Sequence, residues 1–420
     1  MSANRVVGLI SGTSMDGIDV AVAELNPATA GEVQLRPLGC TELPYPPRLR
    51  ERLLAALPPQ PCDARELCVL DTEVGRAFAQ AARQGIAEFG PADLVASLGQ
   101  TLYHWVDDGR GHWVDDGRAR GVDDGRARGT LQLGQPAWVA EATGLPVVAD
   151  LRARDVAAGG HGAPLAGVLD ALWLADRPGP GVALNIGGIA NITVVGGPEP
   201  LAYDTGPGNA LLDAAAAEVT GGAASSDVGG ELAARGQIND ELLANLLADP
   251  YYAAPAPKST GKEHFNADYL RRAVHDARIS GPDLLATLTR LTATTVATAC
   301  RENGARQVIA SGGGVRNPVL MDALRRELGA IELRTSDELG LPAHGKEAYL
   351  AALLGWLTWH GLPGNVPGTT GAGPRPLGSI TPGTGPLHLP EPAAPVRRLR
   401  ITDHPTTNSQ EGECGPSISS

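Results

Sequence analysis

The chain is poor in the materials of a disulfide scaffold, a zinc site or a membrane span. Its five cysteines (Cys40, Cys62, Cys68, Cys300 and Cys414) are scattered with no CxxC pair, as in a reducing compartment, so the expectation is a cytoplasmic protein. The nine histidines include no HxxxH or HExxH pair, which argues against a histidine-ligated zinc. No uncharged apolar run reaches the length of a membrane helix, and the opening MSANRVVGLISG does not read as a signal peptide. Basic residues are outnumbered, 34 against 47, for a formal charge of −13. Without a basic footprint, a nucleic-acid partner is not expected. Neither GxxxxGK[ST] nor a strand-linked GxGxxG occurs, which disfavours a P-loop or Rossmann site. Aromatics supply only 4% of the residues while hydrophobics supply 43%, so the core must be built of Ala, Val, Leu and Ile. At 420 residues the chain has room for about two domains of roughly 150 residues each.

What is present is a series of strands, each followed by a polar glycine turn. "VVGLISGTSMDGIDVAVAEL" (6–25) reads strand, turn, strand, and a further strand candidate spans Val33 to Leu43. Apolar Leu67, Leu70, Val74, Phe78 and Ala82 at three- and four-residue spacing predict a helix over about Ala64 to Phe89. "DLVASLGQTLYHW" reads as a buried strand running into a polar loop, and "PVVAD" (146–150) as a strand ending in an acid. At Gly181 the opening pattern returns in "GVALNIGGIANITVVGG", which suggests two copies of one topology facing each other. "LAYDTGPGNALLDAAAAEV" and "RQVIASGGGVRNPVLMDALRREL" each read strand, glycine turn, helix, and "KEAYLAALLGWLTWHG" reads as an amphipathic helix. The fold class is therefore α/β. The expected domains are residues 1–140, joined by the helix at 346–361, and residues 141–345. A tandem VDDGR repeat, residues 104–128, has a period too short to stack a core and reads as a solvated surface insert. Residues 385–420, rich in Pro, Ser, Thr and Gly, are expected to be disordered.

In open α/β sheets, ligands bind beyond the carboxyl ends of strands. Backbone amides of Gly12, Thr13, Ser14 and Gly17 could wrap a phosphate, with Asp16 holding Mg²⁺; an ordinary hairpin turn is the competing reading. Asn185, Gly187, Gly188 and Asn191 offer a second phosphate contact. Gly312, Gly313 and Gly314 would let a flat ring lie on the backbone, although strand–GGG–helix turns also serve packing. Asp204, before Thr205-Gly206-Pro207-Gly208-Asn209, is placed as a general base needs to be; a helix N-cap is the alternative. Arg152 and Arg154 could grip a substrate carboxylate or pair with Asp150 and Asp155. Lys258, Ser259, Thr260 and Lys262 suit an anion or an exposed loop. His161, among glycines, suits the cleft or a surface turn.

In order along the chain, "GLISGTSMDGIDVAVAEL", "GQTLYH", "GGHGAPL", "LNIGGIANIT", "YDTGPGNALLD", "APKSTGKEHFN" and "SGGGVRNPVLM" resemble the anhydro-N-acetylmuramic acid kinase family. That family lies within the superfamily of actin, the Hsp70 ATPase and the sugar kinases. The resemblance covers about Val6 to Gly383. It implies two duplicated actin-like (ribonuclease H-like) ATPase domains with a cleft between them. It also implies that ATP, with Mg²⁺, phosphorylates O6 of 1,6-anhydro-N-acetylmuramic acid while water opens the anhydro bridge, in peptidoglycan recycling. Carried over residue by residue, it assigns the nucleotide to Gly12, Thr13, Ser14, Met15, Asp16, Gly17, Ile18, Asp19, Asn185, Gly187, Gly188, Gly312, Gly313 and Gly314. It assigns the amino sugar to Gln100, Thr101, Arg152, Gly162, Asn209 and Lys258, and the role of base to Asp204. Partners are then the amino sugar and ATP, with neither nucleic acid nor membrane; pairing as a homodimer is left open. One departure stands out: Leu98 occupies a position where the family carries histidine. Other kinases of the superfamily, and chaperone- or filament-type ATPases, are the competing readings.

Overall fold

The two apolar runs of the opening stretch fold into an antiparallel hairpin in the computed structural model, which describes residues 4–28, 31–106, 127–177, 179–197, 199–261, 264–274, 279–391 and 394–402. Strand β1 (Asn4–Ser11) pairs with β2 (Gly17–Pro27), Val7 opposite Val22. β3 (Glu32–Pro44) runs antiparallel to β2, and β4 (Leu94–Val106) parallel to β1. β5 (Ala127–Leu133) folds back on β4, and β6 (Val147–Ala149) lies parallel to β4 on its outer side. The pattern then repeats. β7 (Gly181–Ile186), β8 (Ile189–Val195) and β9 (Leu201–Pro207) form an antiparallel meander, and β10 (Gln307–Ser311) and β11 (Glu332–Thr335) add parallel strands beyond β7. The spatial orders β6-β4-β1-β2-β3 and β11-β10-β7-β8-β9 are the same motif with the same strand directions. Two duplicated actin-like α/β domains are thus visible within the chain itself.

Short strands β12 (Ser379–Thr381) and β13 (Arg398–Ile401) complete the eight-stranded first sheet by pairing with β6 and β3. Residues 398–401 therefore depart from the disorder expected of 385–420, whose remainder past residue 402 lies outside the described residues. The boundary expected after residue 140 is also too early, because β6 belongs to the first sheet. β4 does not stop before Gly99-Gln100-Thr101 but runs on into a ribbon with β5, His104 opposite Thr130 and Val106 opposite Ala127. Residues 107–126 of the repeat lie outside the described residues.

The helix Ala64–Phe89 starts where Asp63 accepts a hydrogen bond from the Glu66 amide at 2.8 Å and stops at Gly90, φ 101°. Its buried stripe (Leu70, Val74, Phe78, Ala82) covers one face of the first sheet against Val7, Val20, Val22 and Val95. The helix Lys346–Trp359 covers the other face. It is not amphipathic, as expected from its sequence, but buried along nearly its whole circumference, from Ala348 to Leu357. Glycines make that approach possible: a Cβ on Gly8 would lie 1.9 Å from the Ala348 carbonyl oxygen, and one on Gly355 2.3 Å from Ala96 Cβ. In the second sheet Val182, Leu184 and Ile186 face the helices Gly281–Glu302 and Pro318–Leu328, while Ala183 joins the core shared with the helix Ala166–Leu174. Lys346 and Asp170 form a buried ion pair at 2.6 Å between the helices Lys346–Trp359 and Ala166–Leu174. Among the described residues, no helix is long and apolar enough to cross a membrane.

Candidate active site

The first turn is held rigidly from below and open above. Gln100, fully buried, spans it: Nε2 donates to the Gly12 carbonyl at 3.2 Å, and Oε1 sits 2.6 Å from Ser11 Oγ. Met15 adopts φ 54° with its side chain in the core, 2% exposed. A left-handed non-glycine residue costs about 1–2 kcal/mol, which burial of the thioether offsets. Gly17 is needed for packing, since a Cβ would lie 2.5 Å from the Leu43 carbonyl oxygen. Gly12 is different: a Cβ there would meet nothing nearer than Ser14 Oγ at 3.9 Å.

Several residues assigned to ligands therefore serve the turn itself. Met15 and Ile18 are core, and Gln100 is a strut. The Thr101 hydroxyl accepts from Gln132 Nε2 at 3.2 Å. Asp16, assigned to Mg²⁺, is exposed and accepts a hydrogen bond from Arg50 at 2.8 Å, which turns it toward the helix Pro47–Ala55. Among the described residues, no group of three or more His, Cys, Asp or Glu could hold a metal ion. Leu98 is 3% exposed and packed in the core.

Asp19 lies on β2 opposite Glu42 of β3. Burial, then Glu42 and Glu347, push its carboxyl up to about 7, opposed by Arg316 of the second domain. In the unfolded chain it titrates near the ordinary value of 3.8, so between about pH 4 and 7 the folded state holds the extra proton and stability falls as pH rises. Asp19→Asn removes this loss. Its melting-temperature advantage over the parent should be small near pH 4, widen toward pH 7 and level off above. A difference independent of pH would contradict the perturbed carboxyl.

The second hairpin and the triple-glycine turn meet edge to edge. Gly312 has φ 85°, and its Cβ would lie 2.5 Å from Asn185 Oδ1; one on Gly314 would strike Ile186 Cγ2 at 2.3 Å. Packing accounts for both. Gly313 has nothing within 4 Å, so it alone of the three leaves backbone open to a flat ligand. The Gly187 and Gly188 carbonyls accept from the amides of Asn209 and Gly208, each at 2.9 Å, joining this hairpin to the turn after β9.

Asp204 does not end its strand. It lies inside β9, opposite Asn191, beside a bulge in β9 at Thr205. Nor does it cap the following helix, Ala210–Val219, whose N-cap is Asn209. One Asp204 oxygen, Oδ2, accepts from Ser259 Oγ at 3.0 Å and from the Thr260 amide at 2.9 Å. The anion that Ser259 and Thr260 suit is thus the chain's own carboxylate. Lys258, assigned to the sugar, instead donates to the carbonyls of Tyr251 and Tyr252 at 3.0 and 2.9 Å and covers the Tyr251 ring. Lys262 lies outside the described residues.

Beside the β4–β5 ribbon, one short helix, Leu151–Ala157, grips Gly162 through both its amide and its carbonyl. Arg152 Nη1 donates to the Gly162 carbonyl at 2.9 Å, and the Gly162 amide donates to Asp155 Oδ2 at 2.8 Å. Asp155 is fully buried; its other oxygen accepts from Asn365 Nδ2 and Thr370 Oγ1, both at 2.9 Å. Among the described residues, Arg152 Nε is buried without a partner. Burial draws the guanidinium down from its ordinary range, and Glu347 opposes this. Burial, then Arg152, draw the His104 imidazole below its ordinary range, opposed by a backbone hydrogen bond with His161. Asp150, just before this helix, has φ 55° and with Met15 is one of two left-handed non-glycine residues among those described. Strain of that kind concentrates at functional loops. Sequence reasoning missed Glu42 and Glu347, which lie outside the glycine turns, and Arg316, which follows Gly314 by two residues and was passed over beside the glycines.

Residues 4–383 match the family model of anhydro-N-acetylmuramic acid kinase. An anhydro-N-acetylmuramic acid kinase of Streptomyces avermitilis is 55% identical, the match covering 94% of this chain and 99% of that one. One of Streptomyces coelicolor is 54% identical, covering 96% and 100%. A third, of Gloeobacter violaceus, is 40% identical, covering 91% and 100%. Matches of this extent place the chain in the anhydro-N-acetylmuramic acid kinase family.

Proposed function

We propose that the chain transfers the γ-phosphoryl group of MgATP to O6 of 1,6-anhydro-N-acetylmuramic acid while water opens the anhydro bridge, giving N-acetylmuramic acid 6-phosphate and ADP in peptidoglycan recycling. Asp204 carries this reading, as a carboxylate on a strand with one oxygen fixed by two donors. It takes a proton from water as the water oxygen bonds to C1. The C1–O6 bond breaks, and O6 forms its bond to phosphorus as the β,γ-bridging oxygen leaves with ADP. O6 then needs no proton from the protein. A positioned base of this kind contributes about 10²–10⁴-fold.

The amides of the Gly12–Asp19 segment receive the phosphates, and the second hairpin at Gly187 and Gly188 lies on their other side. The adenine ring rests over Gly313. Mg²⁺ enters with the nucleotide as part of the substrate. Arg152, with its unpartnered buried Nε, meets the lactyl carboxylate of the sugar. The test is mass spectrometry of the product made in ¹⁸O-water and quenched early. One heavy oxygen at C1 and none in the phosphate is expected. Label in the phosphate, or an unlabelled C1, would overturn the proposed chemistry.

A further inference from the structure

The segment after the helix Asp240–Leu247 holds Asp204 at three separate points. The Asp204 amide donates to the Lys258 carbonyl at 3.0 Å, and its carbonyl accepts from the Tyr251 hydroxyl at 2.7 Å. Its Oδ2 accepts from Ser259 and Thr260. Lys258 closes the segment on itself through the carbonyls of Tyr251 and Tyr252. The Tyr252 ring also presses on the next turn: a Cβ on Gly206, φ 138°, would lie 2.9 Å from Tyr252 Cε1. So many contacts on one residue exceed what attaching a loop to a strand edge requires.

We infer that Ser259 and Thr260 are positioning residues that set both the direction and the basicity of Asp204; this rests on Asp204 being the base. Two donors on one carboxylate oxygen favour the ionised form. They also fix the rotamer, so the attacking water is met in one geometry. The donors come from a segment separate from β9, and its conformation therefore tunes the base without touching either substrate. Lys258 acts one step further out, by keeping the segment folded.

The test compares Ser259→Ala, Ser259→Thr and Asp204→Asn in the full chain, using pH profiles of kcat/KM. Losing one donor raises the carboxyl pKa, so the base is protonated up to a higher pH. Ser259→Ala should lower kcat about tenfold and move the acid limb up by roughly half to one pH unit, with the KM for ATP within about twofold. Ser259→Thr should restore both. An acid limb left at the parent position, whatever happens to kcat, overturns the inference. Asp204→Asn separates the two failures. If it is inactive while Ser259→Ala leaves the limb unmoved, only the positioning role is lost. If it turns over almost normally, the base assignment falls and this inference with it.

Discussion

Asp204→Asn is expected to lower ring opening and ATP consumption together by about 10²–10⁴-fold. The amide is nearly the same size, and its oxygen can still accept from Ser259 and Thr260, so the change removes basicity and little else. Because the carboxylate acts as the proton is transferred, binding of ATP and sugar should persist. The N-cap explanation no longer competes, since Asn209 occupies that position and Asp204 pairs within the sheet. The measurement is single-turnover kinetics following ADP and the opened sugar in parallel, with calorimetric binding of each substrate. Near-normal turnover by a folded variant would end the assignment. ATP hydrolysis surviving without ring opening would show that water attack and phosphoryl transfer are separable.

Gly12→Val should abolish useful ATP affinity. A Cβ at residue 12 would meet nothing nearer than Ser14 Oγ at 3.9 Å, so the turn leaves room for the first side-chain carbon. The valine fills the space over the turn, where a phosphate needs the bare backbone. Losing close approach to several amides should weaken ATP by a hundredfold or more, about 3 kcal/mol. Sugar affinity should stay within about twofold. Calorimetry with a non-hydrolysable ATP analogue, beside a melting curve of the free protein, reads both. An unchanged ATP affinity would remove the turn from the nucleotide site. Gly17 is the wrong residue for this experiment, because its glycine is required by the Leu43 carbonyl.

What could be read from the sequence was local. The helix Ala64–Phe89 announced itself through a 3.6-residue apolar period. Both hairpins showed as apolar runs around glycine. Features that depend on distant partners did not show. Nothing in "KEAYLAALLGWLTWHG" says that Gly8 and Gly355 let it bury all its faces. The chemistry of Asp16 turns on Arg50, and that of Lys258 on two carbonyls several residues upstream. The triple glycine was legible as a site, yet only the packing shows that two of the three serve the protein and one is free for a ligand. Asp19 was read as the end of a loop; its high pKa comes from Glu42 and Glu347, brought together by strand register and helix docking.

The path of the chain between the two sheets bears on how the protein is made. All five strands of the second sheet lie between Gly181 and Thr335, whereas the first sheet takes β1 to β6 from before that stretch and the helix Lys346–Trp359, β12 and β13 from after it. On a ribosome, the first sheet is synthesised early but cannot cover its second face until residues past 346 emerge. The second domain is contiguous and can close first. The half bearing the first glycine turn then waits, one face bare, for a helix more than three hundred residues away from Gly8. Contacts of such separation form slowly, and the waiting surface is open to aggregation or to a chaperone. A chain cut anywhere before that helix would strand an uncovered sheet, however intact its glycine turns.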